Sequence, residues 1–406
     1  MRCRFMTRTT PWAPAGRWAR LAYALIIAGA VLSIAQGVRN AVEPFGSIDM
    51  QWHPSRMLLE GRDPYALLLQ HYQDPASRFP FMLSQAPFYP PYALVMFLPY
   101  GALPWDVARW CWAASNLTFF AVVLILLRRH FMADQPPWTS IAVGAIFACG
   151  TPLRNTIGNG QHGLLSLAAF LLAYDAAVRW TKPEVAVVPL AVSMFKYTIA
   201  GPLSVILVRR MPWRHLTAAG ALLLLGSLTG GAMVRRPLGI LPEYLHMLAV
   251  VGPTGFLDIF SLADQVRIPR GSVVTLAICV AVVTLTTWCV VVRGQGRPLL
   301  SLSLLGVVSC AVFFHHTYDL FVLVFPLTVL FTPERRERRV LSVLLIATIV
   351  LTWFVEKPVY VLRHQHPGVT AELVYAAYYW STAAVFYASA IALGMALAKR
   401  RDGSVP

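Results

Sequence analysis

Apolar stretches about as long as a bilayer crossing recur along this chain with charge between them, and no other feature limits its fold so strongly. A lipid core asks for about 20 apolar residues in helical form, because the backbone there must satisfy its own hydrogen bonds. Runs of this kind occupy Leu21–Gln36, Trp110–Leu127, Trp138–Leu153, Leu164–Val178, Val185–Val208, Leu216–Val234, Ser272–Val292, Leu299–Phe314, Leu320–Phe331, Val340–Val355 and Leu373–Ala398. Ala93–Leu103 is apolar too, but short and interrupted by Pro99 and Gly101. Of the 406 residues, 57% are hydrophobic and only 13% charged. A soluble domain carries about a quarter charged residues, so both a water-soluble enzyme and a disordered chain are excluded. The fold class is therefore all-α and polytopic, one membrane domain over 1–406 with about ten to twelve membrane helices. Leu21–Gln36, preceded by Arg17 and Arg20, reads as an uncleaved anchor rather than a signal peptide.

The net charge of +16 sits in short clusters between the apolar runs, which argues against a nucleic-acid partner. These clusters are Arg128–His130, Arg179–Lys182, Arg209–Arg214, Arg293–Arg297, Arg335–Arg339 and the basic tail 399–406. The positive-inside rule puts them in the cytoplasm of a multi-pass plasma (inner) membrane protein. Residues 38–90 then form a first outward loop with short helices, and 235–268, the His315–Asp319 region and 356–370 also face outward. Parity holds only if Tyr92–Pro104 is a short or re-entrant helix. Basic flanks on both sides of Val185–Val208 predict two half-length helices with Lys196 near their apex; a single tilted span is the alternative. Broken helices at membrane depth are tolerated only where they are buried in protein or line a cavity.

The chemistry-bearing residues concentrate in a few places. The first outward loop holds Glu43, Asp49, Glu60, Asp63 and Asp74, five of the 18 acidic residues. Asp49 follows the first span closely. Lost hydration there raises its proton affinity, as a general base for a sugar hydroxyl requires; a solvated loop acid or helix cap is the plainer reading. Lys196 within an apolar run should face a cavity or a partner, and a lipid phosphate suits it, as does a structural ion pair. In Gly158-Asn159-Gly160-Gln161-His162-Gly163 the polar side chains offer hydrogen bonds to sugar hydroxyls, or the segment is simply a flexible turn. His315-His316-Thr317-Tyr318-Asp319 offers a histidine near a leaving phosphate with Asp319 orienting it, or a structural His–Asp pair. Adjacent histidines on a helix point about 100° apart, and no metal-ligand spacing occurs, so no cofactor or metal site is read from the sequence and a metal requirement stays open. Arg235, Arg236, Arg363, His364 and His366 read as solvated loop charge or as attractors of anionic lipid.

Taken in order, Asp49, Gly61-x-x-Pro64-Tyr65, Phe88-Tyr89-Pro90-Pro91, Pro99, Leu103-Pro104, Gly160-Gln161 and Lys196 resemble glycosyltransferase family 87 of the GT-C superfamily. The resemblance covers roughly residues 40–210. It implies a GT-C-like membrane transferase using a polyprenyl-phosphate-linked sugar donor, such as mannose or arabinose, and a lipid or glycan acceptor at the outer face. Asp49 matches the family's catalytic base. Lys196, His315, His316, Gln161, Tyr89 and Tyr65 would then serve donor phosphate and sugar, with His53, Asn159 and Asp319 in support. His53 stands where members often carry an aromatic residue, and Lys196 is followed by Tyr197 where they usually have Pro. The competing expectation is a transporter or flippase for a polyprenyl-linked or other anionic solute, which would predict inverted repeats that the sequence does not contain. A non-catalytic scaffold is a third.

Overall fold

The computed structural model describes residues 16–399 apart from 75, 83–84, 180–181, 252–256, 270–271, 314–315 and 333–338. His315 and the tail beyond Lys399 thus lie outside the described residues. Among the described residues there is no strand. Membrane helix α1 (Arg17–Val42) leads into a loop with four short helices, α2 (Trp52–Leu59), α3 (Pro64–Gln73), α4 (Pro91–Met96) and α5 (Leu98–Gly101). The bundle continues with α6 (Trp105–Phe131), α7 (Pro137–Cys149), α8 (Thr151–Gly158), α9 (Gly163–Arg179), α10 (Val187–Ser193), α11 (Tyr197–Ser204) and α12 (Trp213–Met233). It closes with α13 (Ile240–Val251), α14 (Ile259–Gln265), α15 (Val273–Trp288), α16 (Pro298–Val312), α17 (Val324–Val329), α18 (Arg339–Val350), α19 (Glu356–Gln365) and α20 (Val369–Ala398).

Seven described helical stretches are long and apolar enough to cross a bilayer, or eight with the bent pair α8–α9, and four shorter apolar helices join them. Ten to twelve membrane helices are reached only by including the shorter ones. Many outward side chains are apolar: Leu32 is 70% exposed, Leu285 65% and Ile391 64%. In water such exposure would be costly, at roughly 25 cal/mol per Å²; against lipid tails it costs nothing. The protein is an integral membrane protein. Helix α16 is buried from Leu299 to Val312 and packs against α11, α15, α17 and α20. Tyr92–Pro104, expected to be short, forms only α4 and α5, which pack on α12 and α2 respectively.

Val185–Val208 folds back on itself. Its helical run Pro183–Leu207 has the length of a span, but Lys196 breaks it with φ −115 and ψ 75. A straight run of that length would carry Arg210 about 40 Å from Pro183, at 1.5 Å per residue. Instead Arg210 lies 5.6 Å from the Tyr174 ring centroid, near the end of α9 from which the chain has just left. The Lys196 N–H reaches Ser166 Oγ, at the other end of α9, at 2.9 Å. The two half-helices predicted from the basic flanks are present, with Lys196 at their apex. Among the described residues, basic side chains of several clusters collect at one end of the bundle: Arg129 and His130 contact Asp175 at 3.1 and 2.8 Å, and Arg297 donates to the Ala396 carbonyl at the end of α20 at 2.8 Å; Arg335–Arg338 lie outside the described residues.

Candidate active site

The opposite end of the bundle is organised by two interlocked turns. Ser47 N–H donates to Gly158 O at 3.0 Å and Asp49 N–H to Asn159 O at 2.9 Å, stitching the segment after α1 to the α8–α9 turn. That turn bends the chain by 108°. Gly160 takes φ +71 there, with the Met50 side chain close by, a conformation that costs glycine nothing and other residues strain. Trp112 Nε1 donates to the Gly160 carbonyl at 2.9 Å and holds the turn from α6. At Gly163 an added Cβ would stand 2.1 Å from Phe321 Cε1. Gly163→Ala therefore forces two site-bearing segments apart, with an expected loss of about 1–3 kcal/mol. Thermal unfolding in detergent reads this, and an unchanged melting temperature would refute it.

Asp49, Asn159, Gln161, Lys196, Asp319 and Tyr89 come together at this end. Lys196 and Asp319, both buried, form an ion pair. Lys196 Nζ also donates to Gln161 Oε1 at 3.4 Å and lies 4.9 Å from the Tyr318 ring centroid. Tyr89 OH donates to the same Gln161 oxygen at 3.1 Å. Burial, with Asp319 and Asp49 near, raises the Tyr89 phenol well above its ordinary value and keeps it a donor. Asp49 is half-buried beside this cluster. Burial raises its pKa above 3.8, and Asp319 adds to this; Gln161, Lys196 and Asn159 pull the other way without cancelling it. The arrangement offers a proton acceptor close to a cation that is shared with a second carboxylate.

Other anticipated residues lie around this cluster. His316 N–H donates to Asp319 Oδ2 at 3.2 Å, and its ring lies 5.0 Å from that of Tyr318. Tyr65 is buried behind the site, its OH on the Tyr89 carbonyl at 2.7 Å, where it positions Tyr89. His53 braces the first loop: its N–H meets Gln85 Oε1 at 2.9 Å, and its Nδ1 accepts from Met82 N–H at 2.7 Å. Burial lowers its pKa and favours that neutral form. His162, whose motif offers sugar contacts, is fully buried, stacked on Phe195 at 4.4 Å, met edge-on by Tyr89 and Phe97, and packed at a tilt against Trp112. Among the described residues neither of its ring nitrogens has a hydrogen-bond partner.

Tyr318 and Ser166 were not singled out in the sequence. Tyr318 adjoins Asp319 and was detectable as an aromatic beside a membrane-depth acid, whereas Ser166 is one serine in an apolar run. Among the described residues no three His, Cys, Asp or Glu side chains converge as a metal site would require.

The family model for glycosyltransferase family 87 matches residues 88–314, more than half of the chain. Tyr89, Gln161 and Lys196 fall within the match, while Asp49 and Asp319 flank it. No curated protein and no solved structure matches the chain. An all-α bundle with lipid-facing walls, a polar cluster at one end and this match over most of its middle together make the chain a member of glycosyltransferase family 87.

Proposed function

We propose that the protein transfers one glycosyl unit, with inversion, from a polyprenyl-phosphate-linked donor to a hydroxyl of a lipid or glycan acceptor at the outer face of the plasma membrane. The observation that carries this reading is the convergence of Asp49, Gln161 and Lys196, from three distant segments, at the end of the bundle away from the basic clusters. The positive-inside rule makes that end the outer one.

In the proposed reaction the acceptor oxygen forms a bond to the anomeric carbon while Asp49 takes its proton. The bond from that carbon to the phosphate oxygen breaks, and its electron pair leaves with the phosphate. Lys196 stabilises the charge that grows there, an interaction stronger in the transition state than in the ground state. Asp319 compensates Lys196 in the free enzyme, and the donor phosphate would share that ammonium. Gln161 and Tyr89 then hold Lys196 and the sugar in register. One working carboxylate suffices, since a phosphate leaves without a general acid.

The test is transfer of labelled mannose or arabinose from synthetic polyprenyl-phosphate donors in membranes carrying the protein. Transfer should fall as pH drops through the raised pKa of Asp49, because the base must be ionised, placing the acidic limb above the value of an unperturbed aspartate. A rate independent of pH down to 4 would remove Asp49 as the base. Movement of the donor across sealed vesicles without transfer would favour a carrier.

A further inference from the structure

The basic end of the bundle contains a cavity of about 320 Å³ that the proposed reaction does not use. It lies between the chain following α11 and the π-helical end of α15, Cys289–Arg293. Its walls are Val205, Ile206, Val290 and Val291, the turn 294–298 closes one side, and Arg209 and Arg210 supply its charge. Among the described residues no acidic side chain lines it. Arg210 stacks on Tyr174, which leaves its full positive charge in place. Close by, Arg293 has a buried Nε with no hydrogen-bond partner among the described residues.

Three features fix the class of ligand. Guanidinium groups pair with phosphate through two parallel hydrogen bonds, and Arg209 and Arg210, both exposed and with no ion-pair partner among the described residues, call for an anion. The apolar walls call for a ligand with hydrocarbon attached. The surroundings are those of a membrane boundary: Val208 is 53% exposed and Trp213 76%, and tryptophan favours the headgroup level. The volume is near the lower end of ligand pockets, about 300 Å³, enough for a headgroup while the acyl chains stay in the bilayer. Basic pockets between membrane helices suit such headgroups.

We propose that this cavity binds the phosphate of an anionic phospholipid, with Arg209 and Arg210 as its ligands. It lies at the opposite end of the bundle from Lys196 and does not depend on the donor assigned above.

The test uses the full-length protein in neutral detergent, titrated with phosphatidylglycerol, phosphatidylcholine or inorganic phosphate, with the melting temperature as readout. Phosphatidylglycerol should raise it and the other two should not. In the Arg209→Gln/Arg210→Gln variant the response should need at least tenfold more lipid. An equal response to inorganic phosphate would assign the cavity to free phosphate and overturn the lipid. An equal response to phosphatidylcholine, or an undiminished one in the variant, would overturn the site itself. Should the variant fail to fold, a photoactivatable phosphatidylglycerol on the wild-type protein decides: labelling within 205–210 and 290–298 is expected, and labelling only elsewhere refutes the proposal.

Discussion

Asp49→Asn is expected to lower sugar transfer by about 10²–10⁴-fold, the usual contribution of a general base, while leaving the protein at least as stable as the wild type. Both halves follow from the position of the carboxyl. Asparagine has the same shape and keeps a hydrogen-bonding oxygen for the turn, but it accepts no proton from an acceptor hydroxyl. The stability half rests on the sign of the pKa shift. Burial raises the folded value above 3.8, so the folded state binds the proton more tightly than the unfolded chain. Any stability from this group is full below the unfolded pKa and is lost as pH rises through the folded one. At pH 7 the ionised carboxylate therefore works against folding, and a neutral amide removes that cost. The melting temperature of the variant should equal or exceed that of the wild type at pH 7, with the gap closing toward pH 4. A variant that loses activity and melts earlier at pH 7 would mark Asp49 as a structural acid.

Breaking the Lys196–Asp319 pair is expected to have the largest effect on stability. Both side chains are buried, and removing one partner of such a pair costs about 3–5 kcal/mol, because an uncompensated charge remains. Asp319→Asn and Lys196→Met should each lower the melting temperature strongly in detergent. The double variant Lys196→Met/Asp319→Leu leaves neither charge of the pair uncompensated and should regain much of that loss while remaining inactive. Recovery of stability without recovery of transfer separates the phosphate role of Lys196 from its contribution to packing. Single variants as stable as the wild type would show that the pair is solvated and the arrangement of the site different.

Much of this organisation was readable from charge and hydropathy. The folded-back pair at Lys196 follows from basic flanks on both sides of one apolar run, since a segment that begins and ends on the same side of a membrane has to turn. The low acidity of the chain made Asp49 conspicuous. Directions, by contrast, were hidden. Trp138–Leu153 looks like one apolar run, but extended Gly150 divides it into α7 and α8, and α8 then meets α9 at 108°. Hydropathy measures affinity for lipid and carries no information on angle. Tyr65 and His53 lie in motif-bearing segments, yet their hydrogen bonds go to loop backbone and to Gln85, because a tyrosine hydroxyl finds the nearest buried carbonyl whatever the motif around it. His162 shows the same limit: its enclosing rings come from the first loop, α6 and the Lys196 apex, which no local spacing discloses.

The 123 residues between Lys196 and Asp319 also set an order of events on the ribosome. At about 5–20 residues per second, the ammonium is made roughly 6–25 s before its counter-ion. During that interval Asp49 is the only carboxylate of the finished site already synthesised. The acid proposed for proton transfer is thus made well before Lys196, the counter-ion of Lys196 well after it, and the centre becomes complete only when the final third of the polypeptide is being inserted.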